Sequence, residues 1–474
     1  MSEGPRQHDA DLHPLPGAET GRWNARVWAI AGPIILSNLS TPLLGAVDTA
    51  VMGALPSPDF IGGVAVGAII FDFLFWGFGF LRMGTTGFTA QAHGAGEHDE
   101  LRAVLLRPLL LALAIGALLI LLQEPIGRAA LHFIPASDAV TANAALYFQI
   151  RIWSAPATLA NYALIGWLLG TQRPRAVLAL QILLNSVNIV LDLVFVLWLG
   201  WGIEGVAAAS LIAEVAAAGI GLAIVLRVLP RLDRTWDWPR IFERRRLVAL
   251  FRVNFDIMLR TLCLTAAFYY LTVRGAAMGD VVLAANNVLL RFVAFMAFGL
   301  DGFAHAVEVL AGSAYGARHR RAFREAVTTA TLWSVGLAVL ICLVYFVVGR
   351  ELLWLFTTEV PEVRAAAALY LPWIVVAPLV SVWGYMLDGI FIGATRTAEM
   401  RNAMILSLLC FLLACWWLIP AFGNHGLWAA FSLFMLARAV TLGLFYPAIL
   451  RRLENPAEGA GKRTPAGSGG DPAG

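Results

Sequence analysis

Apolar runs of about twenty residues recur along the chain, and they constrain it more than any other feature. A run of that length spans the hydrocarbon core of a bilayer when helical, and in lipid only a helix or a closed barrel satisfies its own backbone groups. The runs fall at 27–54, 60–86, 104–123, 143–170, 176–199, 203–227, 247–273, 280–304, 325–349, 366–393, 402–421 and 425–449, which predicts twelve transmembrane helices. The fold class expected is all-α integral membrane. Composition agrees: with 59% hydrophobic and 14% charged residues over 474 positions, the chain is too apolar for a soluble globular fold. The run at 280–304 is the one most interrupted by charge, at Arg291 and Asp301.

Arginine sets the expected orientation, since loops on the cytoplasmic side carry an excess of basic residues. One set of loops holds Arg102, Arg107, Arg173, Arg175, the cluster from Arg227 to Arg246, Arg318 to Arg324, Arg396 and Arg401, and the opposite set is nearly bare. Both termini are then cytoplasmic, in a multi-pass protein of the cell (inner) membrane. Residues 1–24 and 453–474 read as polar, disordered cytoplasmic tails, the first lacking the apolar core of a cleaved signal peptide. A net charge of +3, spread over loops, gives no reason to expect a nucleic-acid partner. Cys263, Cys342, Cys410 and Cys415 sit in apolar runs without metal-ligand spacing and read as small core hydrophobes.

The two halves resemble each other. HGAGEHDELR from His93 aligns with YGARHRRAFR from Tyr315, GTQRPRAVLALQ from Gly170 with GATRTAEMRNAM from Gly393, and GIEGVAAAS from Gly202 with GNHGLWAAF from Gly423, all at an offset of about 222 residues. Six helices followed by six in the same register make a parallel internal repeat. The expected organisation is a six-helix lobe at 25–228, a cytoplasmic loop at 229–246 with Trp236 and Trp238 at the inner interface, and a second six-helix lobe at 247–452.

No phosphate-binding loop, no external domain and no nucleophile–base constellation is present, so an enzyme is not expected. What stands out is charge inside the membrane, which is expensive and marks functional sites. Asp48 lies in the run Trp28–Leu55, which Pro33 and Pro42 interrupt. Asn185, Asn188 and Asp192 fall at i, i+3 and i+7, on one helical face. Such oxygen ligands suit a proton or a hard cation such as sodium, with helix–helix hydrogen bonding as the bland reading. In the second half Tyr270 replaces Asp48 and no acid stands where Asp192 would. That half has instead Asp256 and Arg260 one turn apart, Arg291, and Asp301, His305 and Glu308 on one face. These read first as buried ion pairs and second as a binding site, and Asp72 and Arg82 carry the same two readings.

GAVDTAVMG around Asp48, FGFLRMGTTGFTAQAHG from Phe78, GLDGFAHAVEVLAGSAYGA from Gly299 and LDGIFIGATRTAEMRNAM from Leu387 resemble the multidrug and toxic compound extrusion (MATE) family, in its DinF-like branch. The resemblance runs from about residue 27 to 450 and implies two lobes around a cleft alternately open to either side. It implies export of organic compounds, cationic or amphipathic, in exchange for protons or sodium, with no cofactor, in a monomer surrounded by lipid. Carried over by position, the branch's ion site falls on Asp48, Asn188, Asp192 and Ser210, where family members often have Thr in the last place. Other branches place acidic ligands in the second lobe, for which Asp256 and Asp388 are the nearest matches. A lipid-linked sugar flippase, favoured by Arg82, Arg260 and Arg291, and an organic-acid exporter are the rival readings.

Overall fold

The computed structural model describes residues 20–53, 57–134, 136–229, 237–357 and 360–454. Among these the chain is helical from end to end. In order, α1 spans Thr20–Gly53, α2 Pro58–Trp76, α3 Phe80–Gly94, α4 His98–Leu121, α5 Gln123–Phe133, α6 Asp138–Arg151, α7 Ala155–Gly170, α8 Pro174–Asp192 and α9 Ile203–Val228. After the short α10 (Trp238–Ile241) come α11 Arg244–Ala276, α12 Asp280–Gly316, α13 Arg320–Phe356, α14 Pro361–Gly393, α15 Thr397–Phe422, α16 Asn424–Gly443 and α17 Tyr446–Glu454. Single 3₁₀ turns fuse α2 to α3 at Gly77–Gly79 and α6 to α7 at Ile152–Ser154, and α8 runs on as a π-helix through Leu193–Trp198. The long rods number twelve, as the hydropathy pattern predicts. Nine are long and apolar enough to cross a membrane by composition alone; α1, the α6–α7 rod and α11 are the three that fall outside that test.

Several details differ from the sequence reading. The run at 280–304 does not weaken at its charges; α12 continues through Arg291, which is exposed, and Asp301, which is half-buried, to Gly316. Nor do the prolines break the first helix, since α1 is continuous from Thr20 to Gly53 past Pro33 and Pro42. A membrane helix tolerates proline where neighbouring groups satisfy the freed carbonyl. That helix also begins inside the expected N-terminal tail; the rest of that tail and the tail beyond Glu454 lie outside the described residues. The amphipathic α5 is a separate element that the hydropathy runs do not announce.

The repeat is visible in the backbone itself. Left-handed φ angles occur at Gly96 (68°), Gln172 (58°) and Gly200 (68°), and again 222 or 223 residues later at Arg318 (55°), Thr395 (51°) and Gly423 (55°). Each stands just past the C-terminus of a long rod, where a left-handed residue closes the last turn. That non-glycine residues accept this conformation at Gln172, Arg318 and Thr395 shows that the turn geometry is repeated even where the sequence is not.

Each lobe lends its first helix to the other. Beyond its packing on α8, α1 lies against α12 and α13: Trp23 Nε1 donates to Glu325 at 2.7 Å, and the Trp28 ring meets Phe303 and Trp333 edge-on. In return α11 packs on α3, and its Val253 and Ile257 belong to the first lobe's core. The repeat-related α3 and α12 meet on the axis between the lobes, where Gly94 faces the Ser313 backbone and Gly316 faces Gln91, so closely that a methyl group at either would overlap a carbonyl oxygen. Hydrogen bonds between the lobes are found at the arginine-rich end and near the middle of the rods, from Trp23–Glu325 and Gln91–Thr395 to Asn38–Phe298.

At that end the described part of the inter-lobe segment is stapled to the first lobe. Arg107, buried, donates to the carbonyls of Arg240 (2.6 Å) and Ile241 (2.8 Å) and to Glu100 (2.7 Å), and Glu100 also holds Arg240 (3.1 Å) and Arg246. Trp238 is 57% exposed, as a residue for the membrane interface should be. Trp236 lies outside the described residues.

Candidate functional site

The cluster at α8 and α9 is the most compact. The three-and-four spacing of Asn185, Asn188 and Asp192 buries all three on the inward face of α8, with Asp192 fully inaccessible. The Asn188 carboxamide satisfies both neighbours in one orientation: its N–H donates to Asp192 Oδ2 at 3.0 Å, and its oxygen accepts from the Ser210 hydroxyl at 3.1 Å and from the Ser210 backbone N–H at 3.2 Å. Carboxylate, carboxamide and hydroxyl therefore form one set across two helices. Asn185 is one turn away and does something else, donating to Ser40 Oγ of α1 at 2.8 Å while accepting from Gln181 at 3.1 Å. It is the helix–helix clamp of the bland reading. Asp48 belongs to α1, which packs on α8, but its side chain lies outside the described residues.

A second group of charges lines the first lobe. Glu214, one turn beyond Ser210 on α9, accepts from the Asn161 amide at 2.7 Å. Arg151 donates to the Tyr147 hydroxyl at 2.6 Å, lies over the Phe71 ring at 5.0 Å, and feels the charges of Glu214 and Asp72. The sequence reading missed Glu214 and Arg151. Each is an ionisable residue inside an apolar run, the same signal that found Asp48 and Asp192.

The second-lobe residues do not form one network. Asp388 is held between two guanidiniums, Arg260 of α11 and Arg438 of α16 at 2.7 Å, all three buried. Arg438 was also missed, although it stands alone in the run at 425–449. Asp256, one turn before Arg260, points elsewhere: it accepts from Arg401 at 2.5 Å and from Thr397 at 3.1 Å, at the arginine-rich end. These are the structural ion pairs of the first reading. Arg291 stands apart, exposed on α12.

His305 and Glu308 do come together, and Arg82 joins them from the other lobe. Arg82 NH1 is 3.3 Å from His305 Nδ1, and Glu308 Oε2 is 3.0 Å from the same nitrogen. Asp301, one turn earlier on α12, lies in the combined field of His305, Arg82, Arg260 and Asp388. Among the described residues no group of three or more His, Cys, Asp or Glu has metal-site geometry.

Comparison with known proteins follows this geometry. The MatE family profile matches the chain twice, at 33–194 and 257–417, together more than half of it and once in each lobe. DNA damage-inducible protein F of Escherichia coli K12 is 44% identical over 420 residues, 89% of this chain and 91% of that one. A protein described as a probable multidrug resistance protein NorM, from Caulobacter vibrioides, is 29% identical over 363 residues, 74% of each chain. Among solved structures, an outward-facing multidrug resistance MATE family transporter of the MOP superfamily superposes with a TM-score of 0.82 at 18% identity, covering 93% of this chain and 99% of that one. A point mutant of the Vibrio cholerae MATE transporter VcmN superposes with a TM-score of 0.81 at 22% identity, covering 91% and 98%. Those two likenesses concern the fold.

Proposed function

The chain belongs to the MatE family and is a multi-pass membrane transporter, and we propose that it is a secondary active antiporter exporting organic compounds in exchange for protons or sodium by alternating access. The observation that carries this reading is the set of buried Asp192 and Asn188 with the half-buried Ser210. A carboxylate taken out of water is costly unless neutralised, so a proton or a small cation entering that set relieves the cost and gives the two lobe arrangements different energies, which is what coupling requires. Asp48 is assigned to the same site on the family pattern. Names of relatives support a drug-like cargo: NorM of C. vibrioides is described as a multidrug resistance protein.

We further assign the arginine-rich end to the cytoplasm by the positive-inside rule, with both termini there. The hydrogen bonds found between the lobes, near the arginine-rich end, would then favour closure to the cytoplasm, with the coupling ion entering from the outside. Each positive charge moving inward gains about 2.3 kcal/mol per 100 mV, enough for roughly a fiftyfold gradient of a neutral cargo at one charge per molecule. The flippase reading loses ground because Arg260 is committed to Asp388 rather than free for pyrophosphate. Everted vesicles test the proposal: a cationic dye should accumulate when the ion gradient is imposed and stop when it is collapsed. Asp48→Asn, at normal membrane levels, should accumulate none. Dye accumulation by Asp48→Asn equal to the parent's would remove the first-lobe ion site.

A further inference from the structure

We propose that His305 is a second proton site of the exchange, in the other lobe, and that the proton on its Nδ1 decides whether Arg82 bridges the lobes. This rests on the proton-coupled form of the reading above. One ring nitrogen offers either a lone pair or an N–H, never both. Arg82 brings only donors to Nδ1, at 3.3 Å, and the ionised Glu308 carboxylate brings only acceptors, at 3.0 Å. The two contacts therefore belong to different proton states of one imidazole.

With the ring neutral and its proton on Nε2, the Nδ1 lone pair accepts from Arg82, and α3 of the first lobe is tied to α12 of the second. When a proton from the cleft adds to Nδ1 no other bond changes. The new N–H donates to Glu308 one turn along the same helix, and Arg82 loses its acceptor and faces a cation. The proton thus exchanges a bond between lobes for a bond within one. Glu308 is prepared for that state: it is 1% exposed, and among the described residues its Oε1 has no hydrogen-bond partner. The His305 side chain keeps 17% exposure, a route by which a proton arrives.

Arg82 of α3 and Glu308 of α12 contact the ring; Asp301 of α12 lies in the field of His305, Arg82, Arg260 of α11 and Asp388 of α14, Tyr385 of α14 in that of Asp301, Asp388, Arg260 and Arg438 of α16, and Tyr162 of α7 in that of Arg82. The other rods against α12, α1 and α13, carry their described charged side chains near their ends. Position gives the bridge its consequence. One turn further along α3, Gly87 abuts the Ile392 carbonyl, and beyond it Gly94 and Gly316 close the arginine-rich end. While Arg82 is held, that end cannot part. A proton loaded from the outer side removes this one of the bonds joining the lobes, a step that an inward proton must permit.

The test uses the full chain in lipid nanodiscs, with Cys263, Cys342, Cys410 and Cys415 replaced and spin labels at Ala95 and Arg318. Both positions, one in each lobe, line a cavity of about 860 Å³ at the arginine-rich end. Between pH 8 and pH 5 the distance distribution should pass from short to long, the ratio of the two changing roughly tenfold, the size of one charged hydrogen bond. His305→Gln, which accepts from Arg82 but binds no proton, should stay short at both pH values, and Arg82→Ala should be long at both. A parent-like titration in His305→Gln overturns the proposal, and if that variant does not fold, a parent-like titration in Arg82→Ala overturns it equally. Because the distances need no transport, failure here is separate from failure of the first-lobe ion site, which Asp192→Asn efflux reports.

Discussion

Counted from the first residue of each helix, Asn188 and Asp192 of α8 stand where Phe411 and Cys415 stand in α15, and Ser210 of α9 stands where Phe431 stands in α16. One lobe buries a carboxylate and a carboxamide beside a half-buried hydroxyl; the other buries aromatic rings and a thiol at the same backbone positions. Tyr270, the repeat counterpart of Asp48, meets Phe411 edge-on at 5.9 Å, and Phe411 packs on Phe434 at 5.6 Å. The repeat has therefore duplicated the rods and their turns without duplicating the chemistry. In the second lobe that volume is filled by apolar packing, which needs no partner and responds to no ion. Its charges stand elsewhere, paired through Asp388 and Asp256.

The most demanding test of this contrast treats the two counterparts alike. Asp192→Asn should reduce gradient-driven efflux to background with the protein folded and at the membrane, because the group that responds to the ion is gone. Cys415→Ser at the matching place should pump as the parent does. Dye accumulation in everted vesicles reads both, and equal losses would mean that the two positions serve packing in the same way.

Asp388 tests the claim that the second lobe's charges are structural. Asp388→Asn leaves the Arg260 and Arg438 guanidiniums buried without their shared anion. Removing one partner of a buried pair costs about 3–5 kcal/mol, so the melting temperature in detergent should fall markedly while efflux per folded molecule persists. Efflux lost at unchanged thermal stability would instead place Asp388 in the coupling machinery.

Much of this was legible in the sequence, and the pattern of misses has a physical cause. Twelve rods and the repeat could be read because lipid forbids unsatisfied backbone, so apolar length dictates helix. Helical spacing put Asn188 and Asp192 on one face, and position within the family pattern supplied Ser210. Spacing could not tell that Asp256 and Arg260, one turn apart, have partners on different rods, Arg401 of α15 for one and Asp388 of α14 for the other. A helical face fixes the direction of a side chain, and only the packing of rods fixes what it meets. Arg438, Arg151 and Glu214 were overlooked although each carries the same intramembrane charge signal. The Arg82–His305 contact joins residues 223 positions apart across the lobe axis, a meeting that no local pattern encodes.

Ser210 offers a smaller effect that bears on the ion's identity. Ser210→Ala removes one hydroxyl from the Asn188 carboxamide while the backbone N–H of the same residue still donates to it. A net hydrogen bond is worth about 1 kcal/mol, so efflux should weaken several-fold if the ion is a proton. A severe defect relieved by raised sodium would show that the hydroxyl oxygen is a cation ligand.

The smallest effect is expected at the segment between the lobes, where the two halves have no counterpart to compare. Arg244 and Arg245 are exposed, whereas Arg246 reaches Glu100, whose side chain is only 10% accessible and is shared with Arg107 and Arg240. With two other guanidiniums retained on that carboxylate, Arg246→Ala should lower thermal stability by about 1 kcal/mol or less, since a half-exposed pair contributes little. Arg244→Ala and Arg245→Ala together should stay within about 0.5 kcal/mol. Replacing all three arginines removes positive charge that fixes orientation, so the triple variant should lose expression or invert a reporter fused after Arg451. The relative efflux of different compounds should not change in any of them. A shifted substrate profile at normal membrane levels would show that this segment touches cargo, and the polar surface at the arginine-rich end would then join the transport path.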